Sequence, residues 1–290
     1  MVLAHAVYHP IRPDITLLKP GAALDRFAIP RLLELGVHEI WIRYPGLEPL
    51  MKFANPRVLD AYRGLLVKVG SALNHAMLDS SASMDYHTFR GAMTRLVDEI
   101  VEDPTSGALV GELIQAGQPF VRHAGNTCLI SMLMGIKLDH YLIRERGRLH
   151  GQSAKDVAGL GVGAMFHDIG LLRIEPEALS RWLKTKDEMD PVWREHVKLG
   201  HAMVHEHFDA SAAAVVMHHH QRFDGSGYYA KHGADGSTVP LRGSEIHVFA
   251  RIAAVADVFD RLRSPAFAPG ETEGNGEVTG VPTVRALAIM

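Results

Sequence analysis

Cysteine is nearly absent from this sequence, in which Cys128 is the only one among 290 residues. A single cysteine excludes an intrachain disulfide and a thiolate metal cluster, and it fits a reducing compartment. Long apolar runs are absent too, because no segment approaches the ~20 residues that a membrane-spanning helix needs. Residues 1–5 lack the basic stretch and apolar core of an export signal. We therefore expect a cytoplasmic protein with no membrane partner.

The sequence also lacks a large excess of either sign of charge, since the formal net charge is only −3. Such a chain has no general field to attract nucleic acid, so we expect no nucleic-acid partner. Apolar residues make up 47% and charged residues 22%, which is ordinary for a folded protein. Histidine is plentiful instead, because the chain has 18 of these common metal ligands, concentrated in its second half. An anionic ligand would have to be met by local positive charge or by metal.

The first 84 residues are predicted to form two units. Residues 1–54 combine a short apolar run at 15–18, a helix near 29–35 and a strand at 39–42, which indicates a small α/β regulatory domain. After Asn55-Pro56 the apolar residues fall on one helical stripe, which predicts a linking helix over 55–84. This stripe consists of Leu59, Tyr62, Leu66, Val69, Leu73 and Met77. It fits ordinary core or the seam of a homodimer, and the sequence leaves both open.

The third predicted unit, residues 85–290, is almost wholly helical. Helical patterns occur near 85–102, 107–116, 120–139, 152–170, 189–207, 209–219 and 244–263. Helices without intervening strands indicate an all-α domain, so the expected fold class is mainly α, with a small α/β domain in front. Glycines and two Asp-Gly pairs between 224 and 243 predict a loop with a small hairpin. Residues 264–282 lack periodicity and are expected to be mobile, and 284–290 would open another helix.

Ligand-type side chains recur through the helical half. They are His123, His167-Asp168, His196, His219, His220 and Asp257. Because a carboxylate has two oxygens, Asp168 can bridge two metal ions while His167 binds one of them. Adjacent helical residues point about 100° apart, so His219 and His220 can converge only near a helix end. Neutral imidazoles with a few carboxylates suit iron or manganese better than the sulfur-rich cage of structural zinc.

Five ordered motifs surround these side chains. They are Phe120-Val121-Arg122-His123, Met165-Phe166-His167-Asp168-Ile169-Gly170, His196-Val197-Lys198-Leu199-Gly200, His219-His220-Gln221-Arg222-Phe223-Asp224-Gly225-Ser226-Gly227-Tyr228, and Arg251-Ile252 followed by Ala256-Asp257-Val258-Phe259-Asp260. The series resembles the HD-GYP branch of the HD phosphohydrolase superfamily over roughly residues 110–265. Taken together, five motifs in this order are far more specific than an isolated His-Asp pair.

The resemblance implies an HD-type helical bundle with two metal ions. His123 and Asp257 would complete the ligands of the first ion, and His196, His219 and His220 would serve the second. His167 and Asp168 would be the catalytic pair, and a metal-activated hydroxide would open cyclic di-GMP to linear pGpG, which some members cut on to GMP. Since the family's loop shapes its pocket and partner contacts, Asp224 and Tyr228 become candidates for substrate binding, and the loop 224–243 for a signalling partner.

The sequence departs from the family pattern where substrate would bind. Leu171 stands where lysine is common, and Arg173 is the candidate to replace its charge. Tyr229 stands where proline completes the second signature, and Gln221 where glutamate is usual. The segment 263–268 replaces a basic stretch, of which Arg263 remains as a substrate-binding candidate. Pro119 stands where members with three metals carry glutamate, so two metals are predicted.

Three functions fit these observations. The leading one is a dinuclear metal phosphodiesterase for a cyclic dinucleotide, controlled by the N-terminal domain through the linking helix. The second is a metal-loaded but inactive domain that senses a nucleotide or docks onto a signalling protein, which the replacement of lysine by Leu171 favours. The third is a phosphohydrolase for another nucleotide. The sequence leaves open the metals, the product, the input signal and the oligomeric state.

Overall fold

The computed structural model describes residues 1–4, 6–9, 15–37, 40, 42–43, 55–79, 84–113, 119–185, 187–228, 230–232 and 237–264. The strands are β1 Val2–Leu3, β2 Val7–Tyr8, β3 Thr16–Leu18, β4 Ile42–Arg43, β5 Ala230–His232 and β6 Thr238–Pro240. The helices are α1 Ala28–Glu34, α2 Pro56–Leu78, α3 Tyr86–Glu102, α4 Pro104–Leu113, α5 Pro119–Lys137, α6 Asp139–Glu145, α7 Gly151–Lys155, α8 Ala158–Met165, α9 Pro176–Thr185, α10 Pro191–Arg194, α11 His196–Val204, α12 Ala210–His218 and α13 Val248–Arg263. Two short 3-10 helices span Ile169–Arg173 and Gly243–Glu245.

The N-terminal part is a small α/β arrangement, as predicted. Strand β1 pairs with β4, and β2 pairs with β3, both antiparallel. Helix α1 ends before Gly36, whose φ of 79° is a left-handed conformation that glycine adopts without strain. A small separate core of Leu3, Val7, Leu24 and Leu32 holds these elements together. Of the predicted strand at 39–42 the structure describes two positions: Ile40, which is not in a strand, and Ile42, which begins β4.

Helix α2 begins at a well-defined cap. The Asn55 side chain accepts a hydrogen bond from the Arg57 backbone, and Pro56 occupies the first helical position. Its buried face belongs to the main hydrophobic core. The predicted stripe was wrong at its end, because Met77 is 57% exposed and the neighbouring Ala76 is buried instead. The extent of a linking unit over 55–84 stays a prediction, since residues 80–83 are outside the described part.

The main core is an all-α bundle. Helix α5 packs against α8 and α13, and α12 packs against α8, α11 and α13. Large apolar side chains such as Phe166, Phe249 and Met132 are almost fully buried between them. The predicted fold class, a helical bundle behind a small α/β part, is therefore confirmed.

Two predicted helices are broken in the structure, and both breaks lie beside the histidines of interest. The pattern over 152–170 is divided into α7, α8 and the first 3-10 helix. Between α7 and α8 the Asp156 carboxylate accepts a hydrogen bond from the Ala158 backbone. The pattern over 189–207 starts instead at an Asp190 cap and breaks at Glu195. Apolar periodicity continues across such breaks, so it could not reveal them.

The segment after α12 contains the predicted hairpin, formed by β5 and β6. Gly225 opens it with a φ of 91°, which makes that position unfavourable for other residues. Residues 265–290, for which a mobile stretch and a further helix were predicted, lie outside the described residues. Within the described part no single helix is long and apolar enough to cross a membrane; only the segments Gly151–Arg173 and Pro176–Thr185 together, bent by 115°, reach the required length and composition.

Candidate metal centre

Seven predicted ligand side chains come from five places in the bundle. His123 lies in α5, and Asp257 lies in α13. His167 and Asp168 occupy the turn between α8 and the first 3-10 helix, and His196 begins α11. His219 and His220 directly follow α12, which confirms that they sit at a helix end. Their side chains are buried except for that of His220, which is partly exposed.

The structure gathers these side chains into two adjoining groups. The first group is His123, His167 and Asp257, and the second group is Asp168, His196, His219 and His220. Within each group, one nitrogen or oxygen from every member lies within 4.8 Å of the others. Each group could therefore hold a metal ion, and the division is the one that the family resemblance implies.

Asp168 connects the two groups because its two oxygens face opposite ways. Its Oδ2 lies 3.3 Å from His167 Nε2 and 3.8 Å from His123 Nε2, in the first group. Its Oδ1 lies 3.3 Å from His196 Nε2 and 3.4 Å from His219 Nε2, in the second group. A carboxylate in this position can bridge two cations, one on each oxygen.

The imidazoles are held with their Nε2 atoms inward. His167 Nδ1 lies 2.7 Å from the Ala164 carbonyl oxygen, and His196 Nδ1 lies 2.5 Å from that of Trp193. His219 Nδ1 is 3.1 Å from the Val216 carbonyl oxygen. Because a carbonyl only accepts, each Nδ1 carries a proton, which leaves Nε2 as the ring nitrogen that can bind a metal ion.

This orientation of the imidazoles is unfavourable unless a cation lies between the Nε2 atoms and the carboxylate oxygens. His196 Nε2 and His219 Nε2 are 3.4 Å apart, with two lone pairs facing each other and the Asp168 carboxylate. Asp168 Oδ1 and His220 Nε2 are buried and have no hydrogen-bond partner of acceptable geometry. Buried polar atoms without partners are costly in a native protein. The donor set therefore fits divalent metal ions, which accept lone pairs from imidazole and carboxylate alike.

Two supporting side chains received no role from the sequence. Asp260 Oδ2 accepts a hydrogen bond from His123 Nδ1 at 2.7 Å, and Asp260 Oδ1 accepts one from Asn126 Nδ2 at 2.9 Å. Asn126 lies almost one helical turn after His123 on α5, and Asp260 almost one turn after Asp257 on α13. That spacing is the signal that could have identified them.

A glycine sets the distance between the two central segments. A Cβ atom added at Gly170 would lie 1.9 Å from the His196 carbonyl oxygen and 2.5 Å from the Gly200 nitrogen. Only glycine therefore lets the segment after His167-Asp168 pack directly against α11. Gly227 plays a similar part, because its added Cβ would lie 2.7 Å from the His220 carbonyl oxygen.

The charges of the centre favour a cation. Burial alone would raise the pKa of Asp168, but His167 and the nearby imidazoles hold it well below its usual range. Burial also opposes a charge on His167, yet Asp168 and Asp257 raise its pKa to about 10. In the second group, burial lowers the pKa of His219 to about 4, so that its imidazole is neutral. The ionised carboxylates and the neutral imidazole of His219 can bind a divalent ion directly, whereas His167 would exchange its proton for the ion.

The four predicted substrate-binding residues lie in different surroundings. The Arg173 guanidinium donates to the Ala76 carbonyl oxygen at 2.8 Å, at the end of α2. Asp224 is exposed and accepts hydrogen bonds from Ser226 in a tight turn. Arg263 lies 5.5 Å above the Phe259 ring. Of the four, Tyr228 has a contact with the seven ligand-type residues, since its ring is 4.7 Å from that of His220.

Two departures from the family pattern have structural explanations. Leu171 is 1% exposed and belongs to the main core, where a lysine would have no water. The Gln221 amide donates to the Leu241 carbonyl oxygen at 2.7 Å, which an ionised glutamate could not do. Tyr229 lies outside the described residues, so the effect of the altered second signature on substrate binding stays a prediction.

Fold and site together define a helical protein with a paired histidine–aspartate centre. Residues 136–272 match the model of a family described as HD domain. The match begins after His123, so that this ligand candidate rests on geometry and on the motif series. This part of the chain is therefore similar to HD domains.

Similarity to curated proteins narrows this class. The chain is 36% identical over 118 residues to the cyclic di-GMP phosphodiesterase response regulator RpfG of Xanthomonas campestris pv. campestris, covering 39% of this chain and 29% of that protein. It is 28% identical over 177 residues to a cyclic di-GMP phosphodiesterase of Pseudomonas aeruginosa, covering 58% and 37%. A 3′3′-cGAMP-specific phosphodiesterase of Vibrio cholerae is 26% identical over 117 residues, covering 39% and 21%.

These similarities are consistent with a member of the HD-GYP family. The matched regions cover well under half the length of each of these three relatives. No solved structure is significantly similar to the chain.

Proposed function

We propose that this protein is a dinuclear metal phosphodiesterase that hydrolyses cyclic di-GMP to linear pGpG, with GMP as the product of a second cleavage. The observation that carries the proposal is Asp168, which offers one oxygen to each of two buried groups of metal ligands. A serine or cysteine nucleophile is not needed in such a centre.

The side chains have separate roles in the proposed reaction. When bound, a pair of divalent ions, iron or manganese, supplies the activated water and the charge stabilisation for P–O cleavage. Asp168 would hold both ions together, while His123, His167 and Asp257 retain the first, and His196, His219 and His220 retain the second. The hydrogen bonds of Asp260 and of the backbone carbonyls fix the imidazole rings before substrate arrives.

The substrate class is supported by the similar proteins. Four of the curated matches are named as phosphodiesterases for cyclic di-GMP, and a fifth for 3′3′-cGAMP. Both names denote cyclic dinucleotides, so we assign this class to the present centre. Residues 1–54 would act as the regulatory domain, and the loop 224–243 as the surface for a signalling partner in the cytoplasm.

A second candidate is hydrolysis of another nucleotide. Leu171 removes one expected cation, and the relative named for 3′3′-cGAMP is similar over the same length of chain as RpfG. The third candidate is an inactive domain that binds a nucleotide as a sensor or docking module. Both retain the metal centre and differ from the first only in substrate or turnover.

The deciding experiment loads the protein anaerobically with iron or manganese, measures bound metal, and follows cyclic di-GMP and 3′3′-cGAMP by chromatography. We expect two ions per chain and linear product from cyclic di-GMP, with turnover lost in Asp168→Ala. Preferential cleavage of 3′3′-cGAMP would support the second candidate. Tight binding without turnover in metal-replete protein would establish the sensor, and protein without bound metal would overturn all three.

A further inference from the structure

Arg261 connects the metal centre to the protein surface. Its Nη2 donates to Asp257 Oδ2 at 2.6 Å, and its Nη1 lies 3.5 Å from Glu188 Oε1. The Arg261 side chain is only 13% exposed. A nearly buried guanidinium is therefore in place beside Asp257 of the first group.

Glu188 is shared between this guanidinium and a second one. Its Oε2 lies 3.7 Å from Arg222 Nη2, and Arg222 is the residue that follows Gln221 in the second signature. Glu188 is 45% exposed and Arg222 is 67% exposed. Long ion pairs between partly exposed groups contribute little stability, whereas a phosphate accepts short charge-assisted hydrogen bonds from two guanidiniums at once. A phosphate is thus the better partner for this pair of arginines.

Glu188 can leave the two arginines by a movement of its side chain alone. The main chain of residues 187–190 is fixed by Arg194 Nε, which donates to the Glu188 carbonyl oxygen at 3.2 Å. Trp182 Nε1 donates to the Asp187 carbonyl oxygen at 2.8 Å. A carboxylate on a fixed loop can swing toward solvent without disturbing the ligands of the centre.

Arg261 also supplies the positive charge that Leu171 and Arg173 do not bring to the centre. Leu171, at the position of the common lysine, is buried in the core, and Arg173 is bonded to the end of α2. Arg261 instead lies four residues after Asp257 on the same helix, which directs both side chains to one face. The centre thus has a cation at its rim that the sequence pattern did not identify.

We propose that Arg261, Arg222 and Glu188 form an anion-exchange site at the rim of the metal centre, where a phosphate of the ligand replaces the Glu188 carboxylate. The proposal rests on the proposed function in taking the ligand to be a phosphodiester. Arg261 and Arg222 bind and position the phosphate beside the centre, and Glu188 restricts the site to anions that can displace it.

The test measures binding of inorganic phosphate to metal-loaded protein by calorimetry, together with metal content. Glu188→Gln keeps the shape but removes the competing charge, and we expect phosphate to bind about five- to tenfold more tightly. Arg222→Gln, on a side chain that is 67% exposed, should weaken binding about threefold or more. Arg261→Gln should weaken it further, and Arg261→Lys should retain part of the affinity.

The matched control is Glu195→Gln, because Glu195 is another exposed carboxylate in an ion pair, with Lys198 at 3.0 Å. It should leave phosphate affinity unchanged. Equal affinity in the wild type, Glu188→Gln and Arg222→Gln, at equal metal content, would overturn the proposal. Because phosphate binding requires no turnover, the expected order of affinities in a protein that does not cleave cyclic di-GMP would refute the proposed function while supporting this site.

Discussion

Apart from His167 and Asp168, which lie in one turn, the two groups of the candidate metal centre are built from different parts of helices. His123 and Asp257 of the first group project from within α5 and α13. In the second group, His196 begins α11, and His219 and His220 follow the end of α12. Ligands inside helices keep a fixed spacing to their neighbours, whereas ligands at helix ends depend on where the chain turns.

Their supporting contacts also differ, except that a backbone carbonyl orients His167 as it does the imidazoles of the second group. His123 is oriented by the Asp260 carboxylate, and Asp257 by the Arg261 guanidinium. His196 and His219 are oriented by the backbone carbonyls of Trp193 and Val216. The first group should therefore be sensitive to substitutions of supporting side chains, and the second to changes in backbone packing.

Removing Asp168, the proposed bridge, should affect both groups equally. We expect Asp168→Ala to lose both metal ions and to reduce hydrolysis by at least about a thousandfold, because each group loses an oxygen ligand. Elemental analysis and product chromatography measure the two effects. Asp60→Asn, on a side chain 69% exposed, is the control and should keep both ions. A variant at position 168 that still holds two ions would show that Asp168 is not the bridge.

Removing a ligand that belongs to one group only should release the metal ion of that group and leave the other ion bound. We expect His123→Ala to lose the ion of the first group and His196→Ala that of the second, each retaining about one ion per chain. Metal titration followed by elemental analysis gives the stoichiometry. His205→Ala is the control on α11's C-terminal side, where the imidazole is 47% exposed, and it should retain two ions. If either ligand variant lost both ions, the groups would be a single cooperative site.

Backbone packing should matter most for the second group. We expect Gly170→Ala to lower the free energy of unfolding by about 3 kcal/mol, because the added Cβ would press against the His196 carbonyl oxygen and displace α11. Chemical denaturation measures the loss, and metal content should fall first in the second group. Gly64→Ala in α2, where nothing lies within 4 Å of the added Cβ, should be neutral or slightly stabilising.

The sequence predicted the side chains of the candidate centre better than the backbone that positions them. The seven ligand-type residues stand out in the motif series, and their division into two groups is what the resemblance to the HD-GYP family implies. The breaks at Asp156 and Glu195 did not follow, because apolar periodicity runs through both. Leu171 illustrates the remaining limit. Its sequence position suggested a missing phosphate contact, but whether another cation replaces it depends on tertiary contacts such as those of Arg261, which local patterns do not specify.

A supporting side chain should affect the first group alone. In Asp260→Asn an amide would replace a carboxylate that accepts from both His123 and Asn126, so one of the two donors would lose its partner. We expect metal affinity to fall about 10–100-fold at one of two sites. Chelator competition resolves the two affinities. Asp139→Asn, which disrupts an ion pair with Lys155 outside the centre, should change neither affinity. An equal loss at both sites would contradict the separation of the groups.

The caps of the two helices that lead into the groups should respond differently to acid. Helix α12 is capped by the Asp209 carboxylate, which accepts from the Ala212 backbone, and the pKa of Asp209 is lowered although burial opposes this. Helix α13 is capped by His247 Nδ1, which accepts from the Phe249 backbone. Burial, Arg146 and Arg251 lower the pKa of His247 from 6.5 to about 4.

Between pH 6.5 and about 4 the unfolded chain therefore binds more protons at His247 than the folded protein does. Stability contributed above pH 6.5 is lost as the pH falls through this window. We expect His247→Asn, which can still cap the helix, to reduce the fall in unfolding free energy between pH 7 and 5 by about 1–2 kcal/mol. Urea denaturation of both proteins at the two pH values measures the difference. Parallel pH profiles would mean that His247 does not titrate in this window, and that α13 is no more sensitive to acid at its cap than α12.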